Sequence, residues 1–294
     1  MDGIISYKSM SKYMNDRVVT DYFNRLMLTA RSVFEWVNLP NNIDEKWIER
    51  YLFAEGKCVF FKDPTLGMMV ARMTPNGELN YYDEPTTVLP YGTNYQGDTL
   101  ENGVNCVVIR NNDDMIPTSP TIQLYALKLA DIDRTIDVNI KAQKMPIIIK
   151  CSDKQKLTLK RVIDQRNDNE PVIFGDKGLD TDGIEVLNTH APVVFKDLEL
   201  QKHMVWNECM TFLGINNANQ DKKERLVDDE VQANNEQVEA NFNIMLKARE
   251  QACKDINRIF GLTGDKAVSV RKRIVNPVIT EIEPNEEDDL DDVC

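Results

Sequence analysis

Apolar positions recur every three or four residues through Val19, Tyr22, Phe23, Leu26, Ala30, Val33, Phe34 and Val37, and this spacing predicts a helix over 17–37 that stops before Pro40. Asp44 is placed to cap a shorter helix ending near Phe53, with Trp47, Ile48 and Tyr51 turned inward. After Gly56 the period changes to that of strands. Lys57–Lys62 and Leu66–Met73 are joined by the turn signal Asp63-Pro64, and a further strand is expected at Val104–Arg110. Residues 57–110 therefore read as a small β-rich unit, a barrel or a sheet.

Thr118-Ser119-Pro120 suits a helix start, and Ile122, Tyr125, Leu129, Ile132, Ile136 and Ile140 continue as one apolar stripe. Pro146 breaks it. Short strands at 147–150, 171–174 and 183–187, with a helix-like piece at 154–165, make a compact α/β insert. A second long helix follows Pro192, with Val194, Leu198, Val205, Cys209 and Phe212 inward, and Gly214 suits its C-terminus. The turn formers Asn216, Asn217 and Asn219 and a charged run through Asp229 come next. Asn234 and Gln237 resemble a capping box opening a third long helix that Gly261 closes, and 266–275 reads as a strand. The fold class is α+β, mainly helical, with no internal repeat.

Composition changes this picture in one respect. The 294 residues suffice for a sizeable core without a disulfide or metal, and the formal net charge is −13. Residues 281–294 hold eight carboxylates and no Lys or Arg, so the rest of the chain carries only −5. A mildly acidic body argues against gripping nucleic acid over a broad basic face. Six cysteines lack a CxxC pair and only His190 and His203 could join them, so no metal site and no cofactor are expected. The thiols read as reduced, in a protein made in the cytosol without signal peptide or membrane span.

No catalytic constellation emerges. Gly261–Gly264 lacks the lysine and hydroxyl spacing of a phosphate loop. Asp228-Asp229-Glu230 could hold a divalent metal for phosphodiester cleavage, but that chemistry needs carboxylates fixed on rigid elements, and a solvated charged loop is the simpler reading. Lys222, Lys223 and Arg225 form the most suggestive basic cluster, with Lys196 and Lys202 on the preceding helix; taken alone the cluster is a weak signal, and a solvated face is its simpler explanation.

Four longer stretches are specific: FEWVNLP at 34–40, NNDDMIPTSPTIQLYALKLADI at 111–132, NIKAQKMPIII at 139–149 and WNECMTFLGINNANQDKKERLVDDEVQANNEQVE at 206–239. They resemble, collinearly over roughly residues 20–260, the upper collar or head–tail connector (portal) proteins of small podoviruses of Gram-positive bacteria. The resemblance implies a non-enzymatic subunit of a ring of twelve, conducting double-stranded DNA during packaging and ejection. It also implies contacts with capsid and scaffolding proteins, a separate packaging ATPase and the lower collar or tail, in the virion after assembly in the host cytoplasm. Mapped onto this chain, it implies an arm at 1–16, a wing at 17–118, stem helices at 119–141 and 191–213 and a clip at 142–190. A channel loop at 214–234, a crown-side helix and strand at 235–275 and an acidic, disordered tail at 276–294 complete it. The DNA contacts would be Lys222, Lys223, Arg225, Lys196 and Lys202, with Asn216, Asn217, Asn219, Asp228, Asp229 and Glu230 in the loop.

Two departures stand out. Residues 1–16 offer only Lys8 and Lys12 against Asp2 and Asp16, where a well-characterised relative has a strongly basic arm linked to binding a packaging RNA. Channel lysines near the clip–stem junction align with Asn188 and Asp197, with Lys196 adjacent to the latter. A metal-dependent nuclease and a capsid structural protein without a channel stand as alternatives.

Overall fold

A computed structural model describes residues 7–143, 147–149, 184–186, 192–216 and 228–273. The chain divides into two compact units, one drawn from Met1–Met27 and Ser119–Val238, the other from Leu28–Thr118 and Glu239–Cys294.

The second unit is organised by an antiparallel sheet. Strands β2 (Lys57–Asp63), β3 (Gly67–Pro75), β4 (Thr87–Gly92), β5 (Tyr95–Gln96) and β7 (Cys106–Arg110) run in the order β5-β4-β3-β2-β7, and β6 (Leu100–Glu101) pairs with β4. The β-rich unit is thus an open sheet. Val59 and Phe61 of β2 join Ala71, Met73, Val88, Cys106 and Val108 in one buried cluster, while the alternate residues Cys58 and Phe60 are buried on the other face. Both faces of β2 are covered, which is why its sequence is nearly continuously apolar.

Helix α2 (Glu45–Glu55) has the expected ends: the Asp44 carboxylate accepts from Lys46 N, and Gly56, at φ 75°, donates its N–H to Leu52 O. Ile48 and Leu52 are fully buried, whereas Trp47 is 42 % exposed, against the inward placement expected for it. The expected helix over 17–37 is corrected at both ends. Helix α1 runs Tyr7–Arg31, so residues 7–16 are helical rather than a flexible arm. Residues Phe34–Val37 form strand β1, paired antiparallel with β10 (Ser269–Lys272). The alternating burial of Phe34 and Trp36 obeys a two-residue period that the three- and four-residue spacing concealed. Phe34 stacks on Phe242, ring centroids 5.1 Å apart.

The first unit holds α3 (Ser119–Gln143) and α4 (Phe195–Phe212), which pack against each other, and the short antiparallel pair β8 (Ile147–Ile149) and β9 (Ile184–Val186). Both long helices and both strands were anticipated. The helix-like piece at 154–165, the strand at 171–174 and the acidic tail lie outside the described residues. The last helix, α5 (Asp228–Phe260), begins six residues before the expected cap at Asn234 and ends at Gly261, φ 66°.

Candidate nucleic-acid interface

The site built by the sequence reading is the α3–α4 pair and the loop that α4 feeds, all within the first unit. Inside this unit Ile122, Tyr125, Ala126, Leu129 and Ala130 of α3 are buried, as are Cys209, Met210 and Leu213 at the far end of α4. Their spacing is that of one helical face. The Tyr125 ring lies 6.3 Å from Phe212 and its hydroxyl donates to Glu208 at 3.2 Å. Burial first, and then the Glu208 charge, push this hydroxyl up to about 12, so it is a donor at any physiological pH.

At the other end of the pair, Asn139 stitches α3 to the chain entering α4: its amide donates to Pro192 O at 2.8 Å and its oxygen accepts from Val194 N at 3.3 Å. These bonds tie both a carbonyl and an N–H of the segment that leads into α4 to α3. Midway, Lys202 forms an ion pair with Asp133 at 2.7 Å, Asp133 also accepts from the Tyr22 hydroxyl, and the Lys202 ammonium lies 5.6 Å from the Tyr22 ring. Burial alone would lower the Lys202 pKa, but the bonds to Asp133 and Tyr22 outweigh it and raise it. Tyr22 is raised by burial and then by Asp133.

Helix α4 ends as its sequence promised. Gly214 adopts φ 72°, its N–H donates to Thr211 O at 3.0 Å, and Ile215 N donates to Met210 O at 2.9 Å, a Schellman arrangement that only glycine enters without strain. Asn216 then donates to Asn235 Oδ1 at 3.1 Å. The chain leaving α4 is thereby fastened to the second turn of α5.

Of the predicted site residues, Lys196 is exposed in the first turn of α4 and Lys202 is engaged with Asp133. Asn217, Asn219, Lys222, Lys223 and Arg225 lie outside the described residues. Asp228, Asp229 and Glu230 are corrected: they belong to the first turn of α5 and not to a loop. Acidic residues at a helix start favour the helix through its dipole.

Sequence reasoning missed a different feature. Large apolar side chains remain exposed on both helices: Leu124, Leu127 and Val138 share one face of α3, Ile140 is exposed off that face although it was expected on the inward stripe, Leu200 and Met204 share one face of α4, and Val193 is exposed just before it. On α3 they continue through Asp131 and Arg134, which pair with each other. The spacing 124, 127, 131, 134, 138 is a second stripe beside the buried one, visible in the sequence but masked there by the stronger run through Ile122 and Leu129.

In comparisons with known proteins, the model of the family described as Phage Connector (GP10) matches residues 6–275. Among solved structures, the chain is similar to one from the portal and tail of native bacteriophage P68, with 18% identity, 92% of each chain covered and a TM-score of 0.50. Two weaker likenesses are an HK97-family phage portal protein from Corynebacterium diphtheriae (11% identity, 87% of this chain and 92% of that one, TM-score 0.44) and a chain from the neck of an empty GTA particle (12%, 87% and 80%, TM-score 0.40). The family match spans all but the ends of the sequence, and with it the chain belongs to the phage connector family, whose fold it shares with a phage portal structure.

Proposed function

We propose that this chain is a portal subunit: copies form a closed ring, of twelve by family resemblance, at one capsid vertex of the virion, and double-stranded DNA passes through it during packaging and ejection. The observation that carries this reading is the apolar stripe of Leu124, Leu127, Val138, Val193, Leu200 and Met204 on a helix pair of a connector-family chain. A lone soluble chain gains nothing from leaving such a surface in water, whereas a heterologous contact that closes on itself buries it in every copy.

In this reading α3 and α4 are the stem, residues 142–190 the clip, 17–118 the wing, the segment between Gly214 and the start of α5 the channel loop, and α5 with the strand after it the crown side. Lys222, Lys223 and Arg225 then recur around the DNA path, so a modest basic cluster in one chain becomes a belt in the assembly. Lys196 adds an exposed charge, while the Lys202 charge is already matched by Asp133. A duplex that must slide is served by few phosphate contacts, because each one adds salt-dependent affinity. The chain itself is non-enzymatic; the energy comes from a separate packaging ATPase that docks on the ring, as do capsid, scaffolding and lower-collar or tail proteins. The sparse charge of residues 1–16 gives a packaging RNA little to bind.

Negative-stain imaging of the purified protein tests the proposal. Rings with a central hole are expected; monomers, or open filaments without a hole, refute it.

A further inference from the structure

A cationic patch on the second unit plays no part in the portal reading. Trp47 is flanked by Lys46, whose Nζ lies 5.5 Å from the ring centroid, and by Arg50, whose Cζ lies 5.6 Å from it. Arg31, the last residue of α1, donates to Lys46 O at 3.1 Å. Its Nε is sealed from solvent with no hydrogen-bond partner among the described residues. Burial, and then the neighbouring Arg50 charge, lower its pKa, with only a partial offset from Glu49.

The carboxylates nearby are committed elsewhere. Glu49 binds Arg249 and Trp36, Glu45 binds Arg273 and Trp36 N, and Asp44 binds Lys46. Among the described residues Arg31 and Arg50 have no ion-pair partner, so two like charges sit together beside an exposed indole. Such a surface suits an anionic segment, because guanidinium–carboxylate bonds are stronger than neutral ones.

The described chain ends beside this patch. Arg273 N donates to Val33 O at 2.9 Å, its Nε donates to Ser32 O at 3.0 Å, and its guanidinium also pairs with Glu45. Arg273, the last described residue, therefore contacts the immediate sequence neighbours of Arg31 and Lys46. Residues 274–280 are uncharged, and 281–294 carry eight carboxylates and no cation. Seven linking residues reach at most roughly 25 Å, ample for this short distance.

We propose that the acidic segment 281–294 docks on the Arg31, Lys46, Trp47 and Arg50 patch of its own chain. The segment acts there as a polyanion that keeps this basic face from binding nucleic acid.

The test is the rate of Lys46 acetylation, read by mass spectrometry, in the full chain and in a chain ending at Thr280. Docking predicts a several-fold slower rate in the full chain. Arg50→Gln, alone and with Arg31→Gln, should raise it toward the truncated value and leave the truncated chain unchanged; about 0.5 M salt should act likewise. Arg50 is exposed, so the single variant keeps the readout intact if Arg31→Gln disturbs folding. Carbodiimide should link Lys46 to a tail carboxylate, and in mixed light and heavy isotope-labelled rings the link should stay within one label. An unchanged Lys46 rate on truncation overturns the proposal. Links that join different labels overturn it too, since they give the patch to a neighbouring copy's tail. So does added duplex DNA that protects Lys46 in the full chain as strongly as in the truncated one.

Discussion

Replacing Arg249 by Met tests the central polar contact of the second unit. The guanidinium is 2 % exposed and its partner Glu49 4 %. It meets Glu49 through two bonds, Nε to Oε1 at 3.0 Å and Nη2 to Oε2 at 2.8 Å. It also donates to Asn111 O, Met245 O and Asn111 Oδ1, each at 3.1 Å, and lies 4.0 Å from the Phe34 ring centroid. One side chain thus joins α2, α5, β1 and the turn after β7. Met restores part of the volume but leaves Glu49 a buried carboxylate with, among the described residues, only the Trp36 indole N–H, at 2.9 Å, donating to it. Breaking a buried pair in this way costs about 3–5 kcal/mol. For a domain of this size that is a fall in Tm of roughly 6–20 °C. Adding Glu49→Gln removes the stranded charge while keeping an acceptor for Trp36, and should recover about 2 kcal/mol. Scanning calorimetry with urea titration followed by tryptophan fluorescence gives both values. A loss below about 1 kcal/mol for Arg249→Met, or no recovery in the double variant, refutes the argument.

Gly56→Ala should cost more than about 2 kcal/mol, because its φ of 75° is unfavourable for alanine and the new Cβ would stand 1.9 Å from Met115 O; urea denaturation measures it. Burial pushes the thiols of Cys106, Cys209 and Cys253 up to about 12, and Cys58 higher still. A thiol raised on folding stabilises fully below its unfolded value and loses that contribution as pH climbs to the folded value, so Tm should decline from about pH 8.5 upward. The same four thiols should resist alkylation in the native state at neutral pH. Lys222→Ala with Lys223→Ala should leave rings intact by electron microscopy and lower the retention of packaged DNA; unchanged retention assigns the pair to a solvated face.

Signals contained within a few residues were legible without a structure. Asp44 before α2, Gly56 after it, Gly214 after α4 and Gly261 after α5 all mark real helix ends, since a cap is a local bargain between one side chain or one φ angle and the adjacent turn. The two long helices and the β-rich stretch followed from periodicity for the same reason. Residues 34–37 failed because Val33, Phe34 and Val37 fit a helical face while Phe34 and Trp36 fit a strand. Only pairing with Ser269–Lys272, more than two hundred residues later in the chain, chose between them. The start of α5 was misplaced because the run Asp228–Glu230 is polar all round and carries no apolar period to announce a helix. Nothing in the residues next to Arg249 sets it apart from other helix charges, and only the convergence of Glu49 and Asn111 makes it a core residue. Sequence alone thus determined those elements whose causes are near neighbours. The tertiary structure decided which charges are buried and paired and which apolar faces stay exposed, because those are set by contacts between residues far apart in the chain.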